Sequence, residues 1–472
     1  MKGEVRRYRR GTIATGIVVG AVAVTVAIGA AAVQLAGASR VLRTVLLRGQ
    51  ASAVAIDESA RRAVVIGSDN GMGYASTLDT ATGALVRTAT IGSNPTDVAV
   101  DERTGRVFIT DIVDGTVSVL DAQSGALLRT VVVGGMQPHN VQRIVIDPRT
   151  DRVFVSIAPV SSPYAVNSAV RMLDARSGAL LQTTRAGGGS LAADERSGQV
   201  LVANLPSNSI SMLDGRTGAW VRTVALGAGT GALHLAVDGR TGNGFALTDT
   251  GLLTFDARAG RLLRALPLPG SNGVLQVDEA HDRVVAVAAS STPPYRTYLH
   301  LLDARTGAVL HTMAAPGAYL VALDRRRGSV IIGTARDVSA VDVRTGIPLW
   351  TFAGSMRTLV DLAVEERTGH VIAVDGGAMD TSGTSIGAGS VVVLDGRTGA
   401  LQSVTPVGVS AGPLALDEQT GHAIVVNHGG AVRVSDTWGW IPTWLRQRLP
   451  FFPRPKGTRT VSGSVSVLDA VR

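Results

Sequence analysis

Asp101 to Val133 reads DERTGRVFITDIVDGTVSVLDAQSGALLRTVVV, and this stretch decides the fold. It holds three short runs rich in β-branched and aliphatic residues, RVFIT, TVSVLDA and ALLRTVVV, and DVAVD just before it supplies a fourth. Such runs are strand signals. RTG joins the first run to the second and QSG the third to the fourth, each with a glycine for the positive φ of a tight turn. Four strands in this order make one antiparallel meander.

The pattern recurs along the chain and is easiest to follow through two acidic landmarks. One closes the first strand of each unit: Asp57, Asp101, Asp147, Asp194, Asp238, Asp278, Asp324, Glu365 and Asp417. The other closes the third: Asp79, Asp121, Asp174, Asp214, Asp256, Asp303, Asp342, Asp395 and Asp469. The two sets alternate without a miss, giving nine units about 40–52 residues apart. Periods near 40–45 with four strands each are the signature of propeller blades. A helical repeat would space its apolar residues by three and four instead.

The first strand carries a finer pattern. One and three residues before the landmark the chain is mostly bulky, as in Val98 and Val100, Ile144 and Ile146, Leu414 and Leu416. Two residues before it, seven of the nine units have Ala (Ala99, Ala192 and Ala415 among them). Alternate strand residues point to opposite faces. One bulky and one minimal face suit the innermost strand of a blade, and both faces are expected to be buried.

The last unit stops at VSVLDAVR, after its third strand. The missing fourth strand lies at the other end of the chain, where Arg40 to Leu47 (RVLRTVLL) copies ALLRTVVV. Pairing Val41–Leu47 with Ser464–Asp469 completes the last blade and removes the open edge. The expectation is therefore an all-β fold: one closed propeller over 39–472, with eight blades and a displaced repeat as the alternative count. The third-strand motifs VSVLD, MLDARSG, LLDARTG and VLDGRTG resemble the YVTN family of β-propeller repeats, over essentially Arg40 to Arg472. Gly92–Pro95 also matches that family's Gly-x-x-Pro step. The resemblance implies a propeller in an extracytoplasmic place; it implies no reaction.

Residues 1–11 hold a basic segment, MKGEVRRYRR, and 12–38 an uncharged, almost wholly apolar or small stretch. From Thr12 to Ala36 it runs about 25 residues, enough at 1.5 Å each to span a bilayer of roughly 30 Å. Ala36-Gly37-Ala38 also offers a cleavage site, so two readings stand: an uncleaved anchor, or a secretory signal. Either way the basic end stays cytoplasmic and the propeller lies outside.

The chain has no Cys, which excludes disulfides and thiolate metal sites. Its formal net charge is +8, but without residues 1–10 it is +4. The Arg residues sit in Asp-x-Arg-Thr-Gly turns beside their own acids, which reads as local charge compensation rather than a phosphate-binding stripe. Nucleic acid is not an expected partner.

In a four-stranded meander the first-to-second and third-to-fourth turns share one face of the disc. These are uniformly short here, as in DERTGR and DARTGA. The second-to-third connections Pro159–Ser168, Ser290–Thr297, Gly376–Gly389 and Asn427–Ser462 are long, as are the blade-to-blade segments Met136–Asn140 and Gly227–Gly231. All of these fall on the opposite face, where binding is usually placed.

Four residues before the first landmark lie Asp97, Arg143, His234 and Asp361, with His139 and Asn140 near them. At the channel mouth of the long-loop face they form the candidate ligand-binding group; the plain alternative is a hydrated mouth. The eight His are dispersed, and neither an HExxH spacing nor a nucleophile elbow is present. No catalytic residue, metal or cofactor is expected. The insertion 427–462 holds TWGWIPTWLRQRLPFFPRPK, whose Trp438, Trp440, Trp444, Phe451 and Phe452 form the candidate partner-binding loop. A short helical turn from Pro442 to Leu449 is expected in it.

The function expected is a membrane-tethered, extracytoplasmic binding module, engaging a protein or small-molecule ligand through the long-loop face. The alternative is a propeller enzyme, a lyase or a quinoprotein-like oxidoreductase, with its site at the channel mouth.

Overall fold

The computed structural model describes residues 39–134, 139–159, 168–204, 207–226, 232–268, 272–289, 296–354, 356–378, 387–433 and 458–470. Within them the chain forms nine four-stranded antiparallel sheets and one two-stranded ribbon. The count of nine stands and the eight-bladed alternative falls. Eight blades are continuous in sequence: 50–91, 95–132, 139–184, 191–225, 232–267, 272–314, 320–353 and 359–409. The first strand of each lies beside the first strand of the next, and Ala411–Asp417 of the ninth meets Gln50–Asp57 of the first. The ring is closed.

The ninth blade is shared by the two ends of the chain. Its strands stand in the order Arg40–Leu46, Ser464–Asp469, His422–Asn427, Ala411–Asp417. The register runs from Arg40 opposite Asp469 to Leu46 opposite Ser464, one residue earlier than the sequence pattern predicts. Leu47 follows the strand and donates its N–H to the Gly463 carbonyl at 2.9 Å. Val45 and Leu47 point into the core formed with Val465 and Val467, while Leu46 between them is 76% exposed. Ser39 fastens the start of this strand to the eighth blade, its Oγ lying 2.8 Å from Thr405 Oγ1.

Strand packing explains the bulky and minimal faces, with one correction. Val98 and Val100 pack back onto Val64, Ile66 and Ala75 of the preceding blade, whereas Ala322 faces forward, with Val371 and Val392 of the following one. Small residues on the forward face let successive sheets converge. Yet Val98, Ala99 and Val100 are only half-buried, so the expectation of two buried faces fails. A ring of nine is wide enough to leave the first strands lining a channel. Full burial belongs instead to second strands such as Arg106–Asp111 and third strands such as Thr116–Asp121.

The acidic landmarks are turn makers. Asp101 Oδ1 accepts the N–H groups of Arg103 and Thr104 at 3.1 and 3.3 Å, and Oδ2 accepts the Thr104 hydroxyl at 2.8 Å. Gly105 then takes φ +64°. Asp121 does the same through the N–H and hydroxyl of Ser124, and its Oδ2 accepts from Arg106 at 3.0 Å. These turns also join blades. Arg103 donates to the Pro148 carbonyl at 2.8 Å, Arg149 to that of Glu195 at 2.8 Å, and Arg196 to that of Arg240 at 3.2 Å. Where glycine is replaced by Asp151 or Asp282, at φ +59° and +56°, the carboxylate instead holds two arginines. Asp151 pairs with Arg103 and Arg176, Asp282 with Arg240 and Arg305. The turn arginines therefore clamp neighbouring blades, a stronger role than charge compensation alone.

Residues 1–38 and 434–457 lie outside the described residues, and with them the expected membrane or signal segment and the helical turn from Pro442. Among the described residues no helix is long and apolar enough to cross a membrane.

Candidate functional site

The long-loop face is built where the second strands end. Chain leaves there from Pro159 to Ala169, from Ala289 to Thr297, and from Asp375 to Ala388. In the ninth blade a two-stranded ribbon rises from the same edge, Gly430–Arg433 paired with Thr458–Val461, and carries the last insertion. Trp438, Trp440, Trp444, Phe451 and Phe452 lie beyond that ribbon, outside the described residues.

Below these connections, six of the nine first strands shift register against their second strands. Asp97, Arg143, His234 and Asp361 each follow such an irregularity directly, at Pro95/Asp97, Val141/Arg143, Ala232/His234 and Leu359/Asp361. A bulge re-aims the side chain beside it. In these six blades the device re-aims the side chain that follows it at the long-loop end of the inner strand.

The four residues are not equivalent. Asp97 accepts the Val98 N–H at 3.0 Å and also bonds the backbone of Ile144 in the next blade. Asp361 accepts N–H groups from Leu362 and from Leu414 of the next blade, both at 2.8 Å. Both carboxylates are blade-to-blade ties. Burial pushes both carboxyls above the ordinary range, against these hydrogen bonds and, for Asp97, against the charge of Arg143. His234 is pushed down, first by burial and then by Arg143. Arg143 thus lies within electrostatic reach of both Asp97 and His234, which groups three residues from the second, third and fifth blades. Asp361 stands apart in the eighth. His139 and Asn140 pair with Pro159 and Ala158 at the end of the strand that holds Arg143; their side chains lie outside the description.

Sequence reasoning missed a second feature, at the opposite mouth. The residue after the first landmark is Glu in six of nine units: Glu58, Glu102, Glu195, Glu279, Glu366 and Glu418. Around much of the ring each glutamate caps the same position of the preceding blade. Glu102 accepts from the Glu58 N–H at 3.3 Å, Glu58 from that of Glu418 at 3.1 Å, and Glu418 from that of Glu366 at 3.1 Å. Burial and then neighbouring carboxylates push Glu102 and Glu418 up, opposed by these N–H donors. The channel here holds a cavity of about 670 Å³ lined by Val277, Leu323, Val364, Glu366 and Glu418. The repeated Asp-Glu step was visible in the sequence, read there only as turn. Among the described residues no group of three His, Asp or Glu is arranged to hold a metal ion.

Fold and site together define a class: a nine-bladed β-propeller, closed by strand exchange between its termini, with one uniform face and one elaborated face. No protein-family model matches the chain, and no curated protein matches it in sequence. Its likeness is to solved structures. The dihydro-heme d1 dehydrogenase NirN, solved in complex with DHE, superposes with a TM-score of 0.56 at 14% identity, covering 78% of this chain and 79% of that one. Sqt1 of Saccharomyces cerevisiae gives 0.53 at 12% identity, over 79% of this chain and all of its own. A computationally designed protein, Ika8, gives 0.50 at 17% identity, over 78% of this chain and all of its own. At such identities the likeness concerns the fold alone.

Proposed function

We propose that the protein is a non-enzymatic binding module, tethered to the membrane by its N-terminal segment, whose propeller stands outside the cytoplasm and engages a protein or small-molecule ligand through its long-loop face. The observation that carries this reading is the asymmetry of the ring. One face is a repeated, carboxylate-capped turn whose arginines and glutamates are used in joining blades. The other carries every long connection, including the ribbon of Gly430–Arg433 and Thr458–Val461. A rigid scaffold with variable segments on one side is the usual arrangement of a recognition surface. The tether and the location rest on the apolar stretch 12–36 and its basic flank, and the kinship with YVTN repeats on the third-strand motifs VSVLD, MLDARSG, LLDARTG and VLDGRTG. Trp438, Trp440, Trp444, Phe451 and Phe452 are the proposed contacts for a protein partner.

Replacing 434–457 by a short Gly-Ser link between Arg433 and Thr458 tests the reading. Capture of a partner by the purified chain should fall at least tenfold while the melting temperature stays unchanged. Undiminished capture would reject it. A second reading, a small-molecule or catalytic site at the channel mouth, is favoured by the grouping of Asp97, Arg143 and His234. Since two backbone donors hold Asp97 as a tie between blades, this is the weaker account.

A further inference from the structure

The cleft between the third and fourth blades differs from its counterparts around the ring. It is an open cleft of about 590 Å³, within the volume range of ligand pockets. Its floor is a chain of hydroxyls. Asn204 Nδ2 donates to Ser209 Oγ and Ser211 Oγ, both at 2.9 Å, and Ser207 Oγ lies 2.8 Å from Ser209 Oγ. Asn204 Oδ1 accepts from the Gly187 N–H, which ties the floor to the segment entering the blade.

The ninth blade repeats this floor as Asn427, Ser464 and Ser466, at 3.1 and 3.0 Å. The amide–hydroxyl triad is thus a structural device. What distinguishes the fourth blade is what surrounds it. Trp220 lines the cleft, 56% exposed, its Nε1 held to Thr223 Oγ1 at 3.1 Å. At the same place in the outer strands of the other eight blades the chain has Leu85, Leu127, Leu180, Leu262, Val309, Pro348, Leu401 and Val41. At the rim stands Arg185, exposed and without a hydrogen-bond or ion-pair partner among the described residues.

From these features we infer that the cleft binds a short saccharide carrying a carboxylate. A pyranose ring presents a flat face of C–H groups to an indole and hydroxyls at its edge. Serine hydroxyls both donate and accept, which matches such an edge. Asn204 and the serines satisfy only part of one another's capacity: Ser211 Oγ accepts from Asn204 Nδ2 at 2.9 Å and still has a proton to give, and an apolar ligand would take water from that remaining capacity at a cost. A guanidinium at the rim matches a carboxylate in two-point geometry. The inference deepens the binding-module reading and rests on it, but the site is distinct from the insertion 434–457, so the loop-replacement experiment and the one below fail independently.

Calorimetric titration of the full chain in detergent, with trigalacturonate and with uncharged cellotriose, tests the inference. Trigalacturonate should bind, and more tightly than cellotriose. Trp220→Ala should weaken it about tenfold, a loss of about 1.4 kcal/mol, and Trp220→Phe should restore most of the loss. Arg185→Gln should remove the preference for the acid. Trp220 and Arg185 are exposed, so unchanged melting temperatures will separate loss of binding from loss of fold. Failure of both saccharides to bind, or binding indifferent to Trp220→Ala, would overturn the assignment. So would equal affinity for the neutral trisaccharide, or a Trp220-dependent preference for a triglutamate peptide.

Discussion

The closure strand makes a prediction whose two halves lie one residue apart. Leu46 ends the strand that pairs with Ser464–Asp469, and Leu47 follows it, bonded to Gly463. Leu47 is 7% exposed and Leu46 is 76% exposed. Leu47→Ala removes buried methyl groups from the seam core with Val465 and Val467, a change that costs about 2–5 kcal/mol in a packed interior. Leu46→Ala should stay within about 0.5 kcal/mol, as exposed substitutions do. Val45, 9% exposed, belongs with Leu47, and the transfer energy of the two together is about 3–6 kcal/mol. That is a large share of a total stability of about 5–15 kcal/mol. Urea unfolding of the three alanine variants, followed by circular dichroism, gives the comparison through the shift in midpoint at constant slope. Leu46→Ala costing as much as Leu47→Ala would refute the register. Two unaffected variants at Val45 and Leu47 would refute the pairing itself.

Further outcomes follow from the charges. Arg143→Gln should raise the pKa of His234, since Arg143 helps hold it down; an unchanged imidazole titration by NMR would separate the two residues. The turn carboxylates Asp79, Asp121, Asp174, Asp214, Asp303, Asp342 and Asp395 are held below the ordinary range: partial burial opposes this, and hydrogen bonds from their turns outweigh it. Their stabilisation is present above the unfolded carboxyl pKa of about 3.9 and lost as pH falls through the folded values. The ring should therefore lose stability below about pH 4, and Asp121→Asn should flatten that loss in pH-dependent urea titrations. His300 is buried, with Nδ1 2.9 Å from Thr312 Oγ1, and burial lowers its pKa. It adds stability above about pH 6.5 that is lost as pH falls through its folded value; His300→Gln with no change between pH 7 and 5 would contradict this.

Much of the fold was readable because its determinants are local. An Asp followed by Arg-Thr-Gly builds its own turn from its own backbone, so the landmarks of nine units stand out whatever the distant packing. The closure was readable because Arg40–Leu47 copies a strand whose place in the repeat is known. Exposure of the first strands was misjudged because it depends on the diameter of the ring, which no single repeat encodes. The candidate site was half readable. Position in the repeat located Asp97, Arg143, His234 and Asp361 at the bulged ends of the inner strands. It did not show that Asp97 and Asp361 are occupied by N–H groups of Ile144 and Leu414 in the following blades. The cleft beside Trp220 was hidden for the same reason, since its walls come from two blades.

Site-specific photo-crosslinking tests the central claim, recognition through the elaborated face, most directly. Val113 and Met72, each 62% exposed, mark that face: Val113 sits in a second-to-third turn and Met72 opens the third strand directly after one. Arg176 and Arg305, with side chains 64% and 62% exposed, sit in third-to-fourth turns on the other. With a benzophenone side chain placed at each position in turn, partner adducts should form from Val113 and Met72 and not from Arg176 and Arg305. Adducts confined to Arg176 and Arg305, or equal from both faces, would contradict the account.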